Sequence, residues 1–191
     1  MAGRQPGGTA GYILAGGASR RMGRDKAMLL DRGIPLAMRV ASVVAAAVAG
    51  PCSIVAPAGR YEELDLPVIA DRWPGEGPLG GILTALEDGA AEWSVIVAVD
   101  LPRLHSGFLI QLLTAARLAG RTTVPVHADG GLEPLCGVYH SGDLPALRDF
   151  FARGGRRVKD ALREIHVLTI PADEDVLVNV NTPGQWEALR S

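Results

Sequence analysis

Cysteine is scarce in this chain of 191 residues: Cys52 and Cys136 are the only two. They lie far apart, form no CxxC and have no accompanying histidine pattern, which argues against a zinc framework and against a disulfide scaffold. Two reduced, buried thiols are the expectation. A charge excess is lacking too. Nineteen Lys and Arg against 21 Asp and Glu leave a formal net charge of −2, so no global basic field draws the chain to a nucleic acid. Long apolar runs are absent; the most apolar, Val40 to Ala49, is rich in alanine and too short to span a bilayer. The opening MAGRQPGGTA has no apolar core of signal-peptide type and reads as a flexible leader over residues 1–10. No repeat, linker or second domain interrupts the remainder. Together these absences predict a cytoplasmic globular domain over 11–191, with neither nucleic acid nor membrane as partner.

What is present is an alternation of strand-length apolar runs with segments of helical period. Gly11–Ala15, Cys52–Ala56, Val68–Ala70, Thr122–Val126, Val167–Ile170 and Val176–Val180 read as strands. Ser94–Val99 (SVIVAV) is continuously apolar, as in a strand covered on both faces. Pro35 suits a first helical turn, and Leu36, Val40, Val43, Val44 and Ala47 then mark one helical face up to the Gly50-Pro51 stop. Leu79–Leu86, Phe108–Leu118, Leu144–Phe151 and Arg157–Ile165 are further helical patterns. Thr182-Pro183-Gly184-Gln185 is a capping box before a closing helix Gln185–Arg190. The fold class is α/β: one three-layer α/β/α domain whose mostly parallel sheet becomes mixed if Gly130–Tyr139 returns as a hairpin. Ligands of such folds sit beyond the carboxyl ends of the strands, so the residues just after each strand carry the interest.

The segment after the first strand is LAGGASRRMGRDK, residues 14–26. Glycines let backbone N–H groups approach phosphate oxygens, and Arg and Lys neutralise the remaining charge. A Walker loop is excluded because Arg24-Asp25 separates Gly23 from Lys26 and no hydroxyl follows the lysine. A dinucleotide fingerprint fails because the only close glycines, Gly16 and Gly17, are adjacent.

The stretch resembles the signature of nucleotidyltransferases, and among them most closely the molybdenum cofactor guanylyltransferase family. Further matches occur in order: GPLGGI at 77–82, VDLP at 99–102, PLCGVY at 134–139, GGRRVKDAL at 154–162 and NVNTP at 179–183. The resemblance implies a Rossmann-like fold of the nucleotide-diphospho-sugar-transferase type. It also implies transfer of GMP from GTP to molybdopterin with Mg²⁺ and release of pyrophosphate. Cofactor-accepting molybdoenzymes or their chaperones would be protein partners. A cytidylyltransferase for molybdopterin or a polyol phosphate is the alternative within enzymes, although such relatives tend to read LAAG where this chain has Leu14-Ala15-Gly16-Gly17. A catalytically silent nucleotide-binding delivery module is the alternative outside them.

By the same resemblance the backbone of Leu14, Ala15, Gly16 and Gly17 contacts the nucleotide, and Arg21 and Lys26 stabilise the triphosphate. Asp100, placed by the SVIVAV strand, is the magnesium ligand and with Lys26 and Arg21 completes the catalytic set; a capping aspartate is the competing reading. Asp71 belongs to the nucleotide pocket or else stabilises its own loop. Gly77, Gly80 and Gly81 would let the next helix approach the base. Some relatives carry an asparagine after the second strand, where this chain has Val55-Ala56-Pro57. Arg156, Arg157 and Lys159 are candidates for the acceptor phosphate, against an ordinary solvated face. Asn179 and Asn181, alternating along a presumed strand, are candidates for the pterin or for water on the metal, against a turn-and-cap role.

Overall fold

A computed structural model describes residues 5–16, 25–89 and 91–190. In chain order the strands are β1 (Gln5–Leu14), β2 (Leu30–Asp31), β3 (Ile34–Pro35), β4 (Cys52–Ala56), β5 (Val68–Ala70), β6 (Ala91–Ala98), β7 (Thr123–Val126), β8 (Cys136–His140) and β9 (Leu168–Pro171). The α-helices are α1 (Leu36–Val48), α2 (Pro78–Asp88), α3 (Ser106–Ala119), α4 (Leu144–Ala152), α5 (Val158–Ala161) and α6 (Pro183–Arg190). Seven strands form one sheet in the order β5-β4-β1-β6-β8-β7-β9, and β2-β3 is a separate hairpin. Strands β5, β4, β1 and β6 run parallel, while β8 is antiparallel to both β6 and β7.

Period-two alternation along the strands sends side chains to two cores, one on each face. Ile13, Ile54, Val95, Val97 and Val138 join Leu36, Val40 and Val44 of α1 and Leu109 and Leu112 of α3. Their neighbours Tyr12, Val55, Ile96 and Tyr139 face Leu79, Ile82, Leu83 and Leu86 of α2, with Leu147 and Phe151 of α4. This is the expected three-layer arrangement with a mixed sheet. Gly11 marks a close approach of α1 to β1, because a Cβ there would lie 2.6 Å from Val44 Cγ1.

Three elements differ from expectation. The Arg157–Ile165 helical pattern is realised only as the four-residue α5 followed by a 3-10 turn, Leu162–Glu164. β1 begins at Gln5, pairing with Ala91, so residues 5–10 are strand rather than leader. Val176–Val180 is not a strand. Asp173 takes the N–H groups of Asp175 and Val176 on its side chain and those of Val176 and Leu177 on its carbonyl, which winds the chain into a turn. The buried residues there are Val176, Leu177 and Val180, a helical-turn spacing and not an alternation. The capping box before α6 does form, with Gln185 N donating to Thr182 Oγ1 at 3.3 Å and Gln185 Oε1 accepting from Thr182 N at 3.0 Å. Among the described residues no helix is long and apolar enough to cross a membrane.

Cys52 and Cys136 are both buried and unpaired. Burial pushes the Cys52 thiol up to about 12 and raises that of Cys136 as well, so both stay protonated far above neutral pH. At pH 8 the folded protein is expected to resist a thiolate-directed reagent such as Ellman's, with both cysteines titrating only after unfolding in guanidinium. A native-state reaction at pH 8 would show that one of the thiols is reached by solvent.

Candidate active site

From β1 the chain passes through α1 to β4 on one side and, after β5 and α2, returns to β6 on the other. The β1–β6 boundary is therefore the topological switch point, where open α/β sheets hold ligands. The last paired residues there are Leu14 and Ala98. Two positions beyond, on adjacent strand ends, stand Gly16 and Asp100. Val99 N bonds Leu14 O at 3.3 Å, Ala15 N bonds Val55 O at 3.0 Å, and Asp71 N bonds Ala56 O at 2.7 Å, which ties four strand ends into one ledge. Over it lies a cavity of about 610 Å³ whose walls include Leu14, Ala15, Gly16, Lys26, Asp71, Gly77, Asp100, Asn179 and Asn181.

Lys26 is the hub of that cavity. Its Nζ donates to Asp100 Oδ2 and to Asn181 Oδ1, each at 2.8 Å, drawing together residues 74 and 155 positions away in sequence. The side chains of the pair are only 16% and 20% exposed. Asp25 fixes the backbone that carries the lysine: its Oδ1 accepts from Ala27 N at 3.0 Å and caps a single 3-10 turn, Lys26–Met28. Tyr61 Oη lies 3.0 Å from Asp25 Oδ1 and 3.3 Å from Ala15 O, and Arg60 pairs with Asp25 Oδ2. Both flanks of segment 17–24 thus meet one buried phenol, which burial and the Asp25 carboxylate keep protonated well above its ordinary range. Tyr61 holds this position with φ of 63°, a left-handed conformation costly for a side chain of its size.

Asp71 makes the loop-stabilising contacts expected of it. Its Oδ1 accepts from Trp73 N at 2.9 Å and lies 3.2 Å from Thr84 Oγ1, which stabilises the loop, while the carboxylate also lines the cavity. Gly77 precedes α2 with φ of 87°, a conformation that requires glycine. A Cβ on Gly81 would meet Leu14 at 3.3 Å, and one on Gly80 would meet Trp73 at 3.0 Å. The close approach of α2 is thus to the β1 terminus and the Trp73 loop; Gly77 and Gly81 line the cavity and Gly80 does not.

The structure does not bring the expected acceptor cations to the cavity wall. Arg156 is committed elsewhere: Nε to Glu76 Oε2 at 2.5 Å, Nη1 to the carbonyls of Phe151 at 2.8 Å and Gly155 at 2.9 Å, and its guanidinium over the Phe151 ring at 4.0 Å. Arg157, just before α5, and Lys159, within it, are exposed and line no part of the cavity. Asn179 and Asn181 do reach it, though not as alternate residues of a strand. Val180 N bonds Asp100 O at 3.1 Å and its side chain is fully buried, which turns the flanking asparagines to the site. Gly17 and Arg21 lie outside the described residues. So do Arg20 and Arg24.

Two wall residues were not foreseen, Glu133 and Leu135. They precede β8, and because β8 is antiparallel its beginning, not its end, lies at the ligand edge. Attention to the loop after each strand alone passes over them; the PLCGVY match beside Glu133 was the available signal. Asp25, next to Lys26, was passed over likewise. Among the described residues no cluster of three His, Cys, Asp or Glu side chains is arranged to hold a metal. The Asp100 carboxylate offers hard oxygen donors, a donor type that would suit a magnesium ion.

Comparison with known proteins agrees with this geometry. The family model described as MobA-like NTP transferase domain matches residues 11–168. A probable molybdenum cofactor guanylyltransferase of Deinococcus radiodurans is 37% identical over 93% of this chain and 91% of its own. One from a Nostoc species is 38% identical over 93% and 88%. The crystal structure of molybdopterin-guanine dinucleotide biosynthesis protein A from Archaeoglobus fulgidus superposes with a TM-score of 0.82 at 23% identity, over 95% of this chain and 96% of that one. With the family model covering most of the chain, and a cation–carboxylate pair at the sheet's switch point, the chain belongs to the MobA-like NTP transferase family and is a nucleotidyltransferase.

Proposed function

We propose that this protein transfers GMP from GTP to molybdopterin, forming the guanine dinucleotide of the cofactor and pyrophosphate. The observation that carries the reading is the Lys26–Asp100 pair in a cavity whose lining comes from both sides of the β1–β6 boundary. Leu14, Gly16, Asp71, Gly77 and Gly81 make one half, over β1, β4, β5 and α2. Glu133 and Leu135, before β8, and Asn179 and Asn181, before α6, make the other. One substrate binds in each half and the two meet at the pair. The names of the relatives at 37–38% identity support guanine as the base and molybdopterin as the acceptor.

In the reaction the terminal phosphate of molybdopterin attacks the α-phosphorus of GTP. A new P–O bond forms and the bond to the bridging oxygen breaks, with the electron pair leaving on pyrophosphate. The attacking phosphate is already ionised, so the protein needs no base, and its work is positioning and charge neutralisation. Lys26 supplies a cation whose direction is set in advance by Asn181 and by the Asp25 cap. Asp100 fits a magnesium ion carried in on the phosphates; when bound, that ion offsets charge on their oxygens. Leu14 to Gly17 offer backbone to the nucleotide, with Arg21 as a second cation near it. Asn179 and Asn181 present amides to the acceptor. Arg157 and Lys159 remain candidates for its phosphate only at the rim, whereas Arg156 acts as a tether between α4 and the Trp73 loop.

The nucleotide assignment is tested by thermal unfolding with each triphosphate and Mg²⁺. At a hundred times its Kd a ligand adds about 2.7 kcal/mol of stability, so GTP should raise Tm clearly and ATP and CTP much less. Asp100→Asn should abolish the part of the GTP effect that requires magnesium. An equal response to CTP would refute the base assignment. In steady state, Lys26→Gln should lower kcat for molybdopterin-dependent pyrophosphate release roughly 10²–10³-fold, the scale for one preorganised charge-stabilising donor. Unchanged turnover would remove the lysine from the mechanism.

A further inference from the structure

We infer that Glu133 is the specificity-determining residue for the acceptor and takes the amino-pyrimidinone edge of its pterin. The inference rests on the acceptor assigned above. Among the described residues, four carboxylates line the cavity: Asp25, Asp71, Asp100 and Glu133. Three have donors within the protein. Asp25 is bonded by Ala27 N and Arg60, Asp71 by Trp73 N, and Asp100 by Lys26. No hydrogen bond from a described residue reaches the Glu133 carboxylate. Its one ion-pair contact among them is His127 Nε2 at 3.9 Å, beyond hydrogen-bond reach, and His127 already engages Glu174 through Nδ1 at 2.8 Å.

The Glu133 side chain is nevertheless only 19% exposed. Its oxygens still meet solvent, since among the described residues no buried side-chain oxygen lacks a partner, so a donor bound there takes the place of water. Among the described residues no group competes for that place, so it is open to the donors of a bound ligand. A pterin carries two adjacent ones, the 2-amino group and the ring N3–H, in the spacing that a carboxylate accepts side by side. Guanine carries an equivalent pair, so chemistry alone leaves two candidates. Position separates them. Glu133 and its neighbour Leu135 stand before β8, on the far side of β6 from the β1–β4–β5 half, and Ala98 N bonds Leu135 O at 2.7 Å. Asp100 therefore lies between Glu133 and the nucleotide half, and the edge that Glu133 reads belongs to the acceptor.

Two ligand pairs test this, in which the amino group is replaced by an oxo group in the first and by hydrogen in the second. The first is 6-hydroxymethylpterin phosphate against 6-hydroxymethyllumazine phosphate, titrated by their own fluorescence with the α,β-methylene analogue of GTP present. The second is GTP against ITP, compared by thermal shift. The protein should prefer the pterin over the lumazine by roughly 10- to 100-fold, the range for a hydrogen bond to a charged group. Glu133→Gln should bring that ratio close to one while keeping the GTP shift and the GTP-over-ITP preference, which also shows that the variant is folded. A variant that keeps the pterin preference, or that loses the GTP-over-ITP preference or the GTP shift, overturns the assignment of Glu133. A wild-type protein that responds to GTP but binds neither pteridine overturns the molybdopterin reading, and this inference with it.

Discussion

The parallel pairing of β1 with β6 is the constraint on which the site depends. Register pairs run from Gln5↔Ala91 to Leu14↔Ala98, and both strands then continue into ligand-facing loops. The short sequence GYIL is enough to place one of them. Gly11 lets α1 come down onto the strand, Tyr12 goes to one core, Ile13 to the other, and Leu14 reaches the edge against Gly81. With those contacts made, Gly16 and Asp100 have no freedom to part. A shift of one residue in the register would exchange the two cores, so the site is fixed by the burial of side chains that never touch substrate.

Upon that frame the chain places one partly buried ion pair. Such a pair is weak evidence for stability, because the desolvation of two charges offsets most of their attraction. Its value here is in orientation. A lysine on a four-carbon stem loses rotamer entropy when it is fixed, and Lys26 is fixed through Asp100, through Asn181 and through the Asp25-capped turn beneath it. That cost is met during folding, so the cation need not be ordered again when a triphosphate arrives. Tyr61 plays the corresponding part for the backbone, adopting a left-handed φ to reach both Ala15 and Asp25.

Much of this was legible in the sequence. The bounds of β4 and β5, the Pro35 entry into α1 and the Thr182–Gln185 box are local chemistry, and local chemistry survives into the fold. Lys26 and Asp100 could be paired in advance because each comes after a strand whose apolar run is unmistakable. What was not legible depends on contacts between distant segments. The RRVK run carries no mark that Arg156 is drawn into a tether by Glu76 and Phe151 while Arg157 is not. The Val176–Val180 run has strand composition, yet Asp173 winds it, and Asn179 and Asn181 reach the cavity because the amide of Val180 finds a carbonyl on the loop after β6.

Glu133 shows the deeper reason. In an all-parallel sheet, loops at the ligand edge always come after strands, and a search for function can be confined to them. One antiparallel strand breaks that rule. β8 enters the sheet from the ligand edge, so the turn that Gly130 and Asp129 close after β7 delivers Glu133 and Leu135 to the cavity before the strand begins. The loop after β8 is carried to the opposite edge, where His140 caps a 3-10 turn ahead of α4. Parallel strands on one side of Asp100 present glycines and backbone, suited to phosphates and to a base held by its edges. The mixed side presents a carboxylate and two amides, suited to a polar heterocycle. The change of strand direction at β8 brings the carboxylate of Glu133 to this edge, and the bond of Val180 N to Asp100 O brings the two amides.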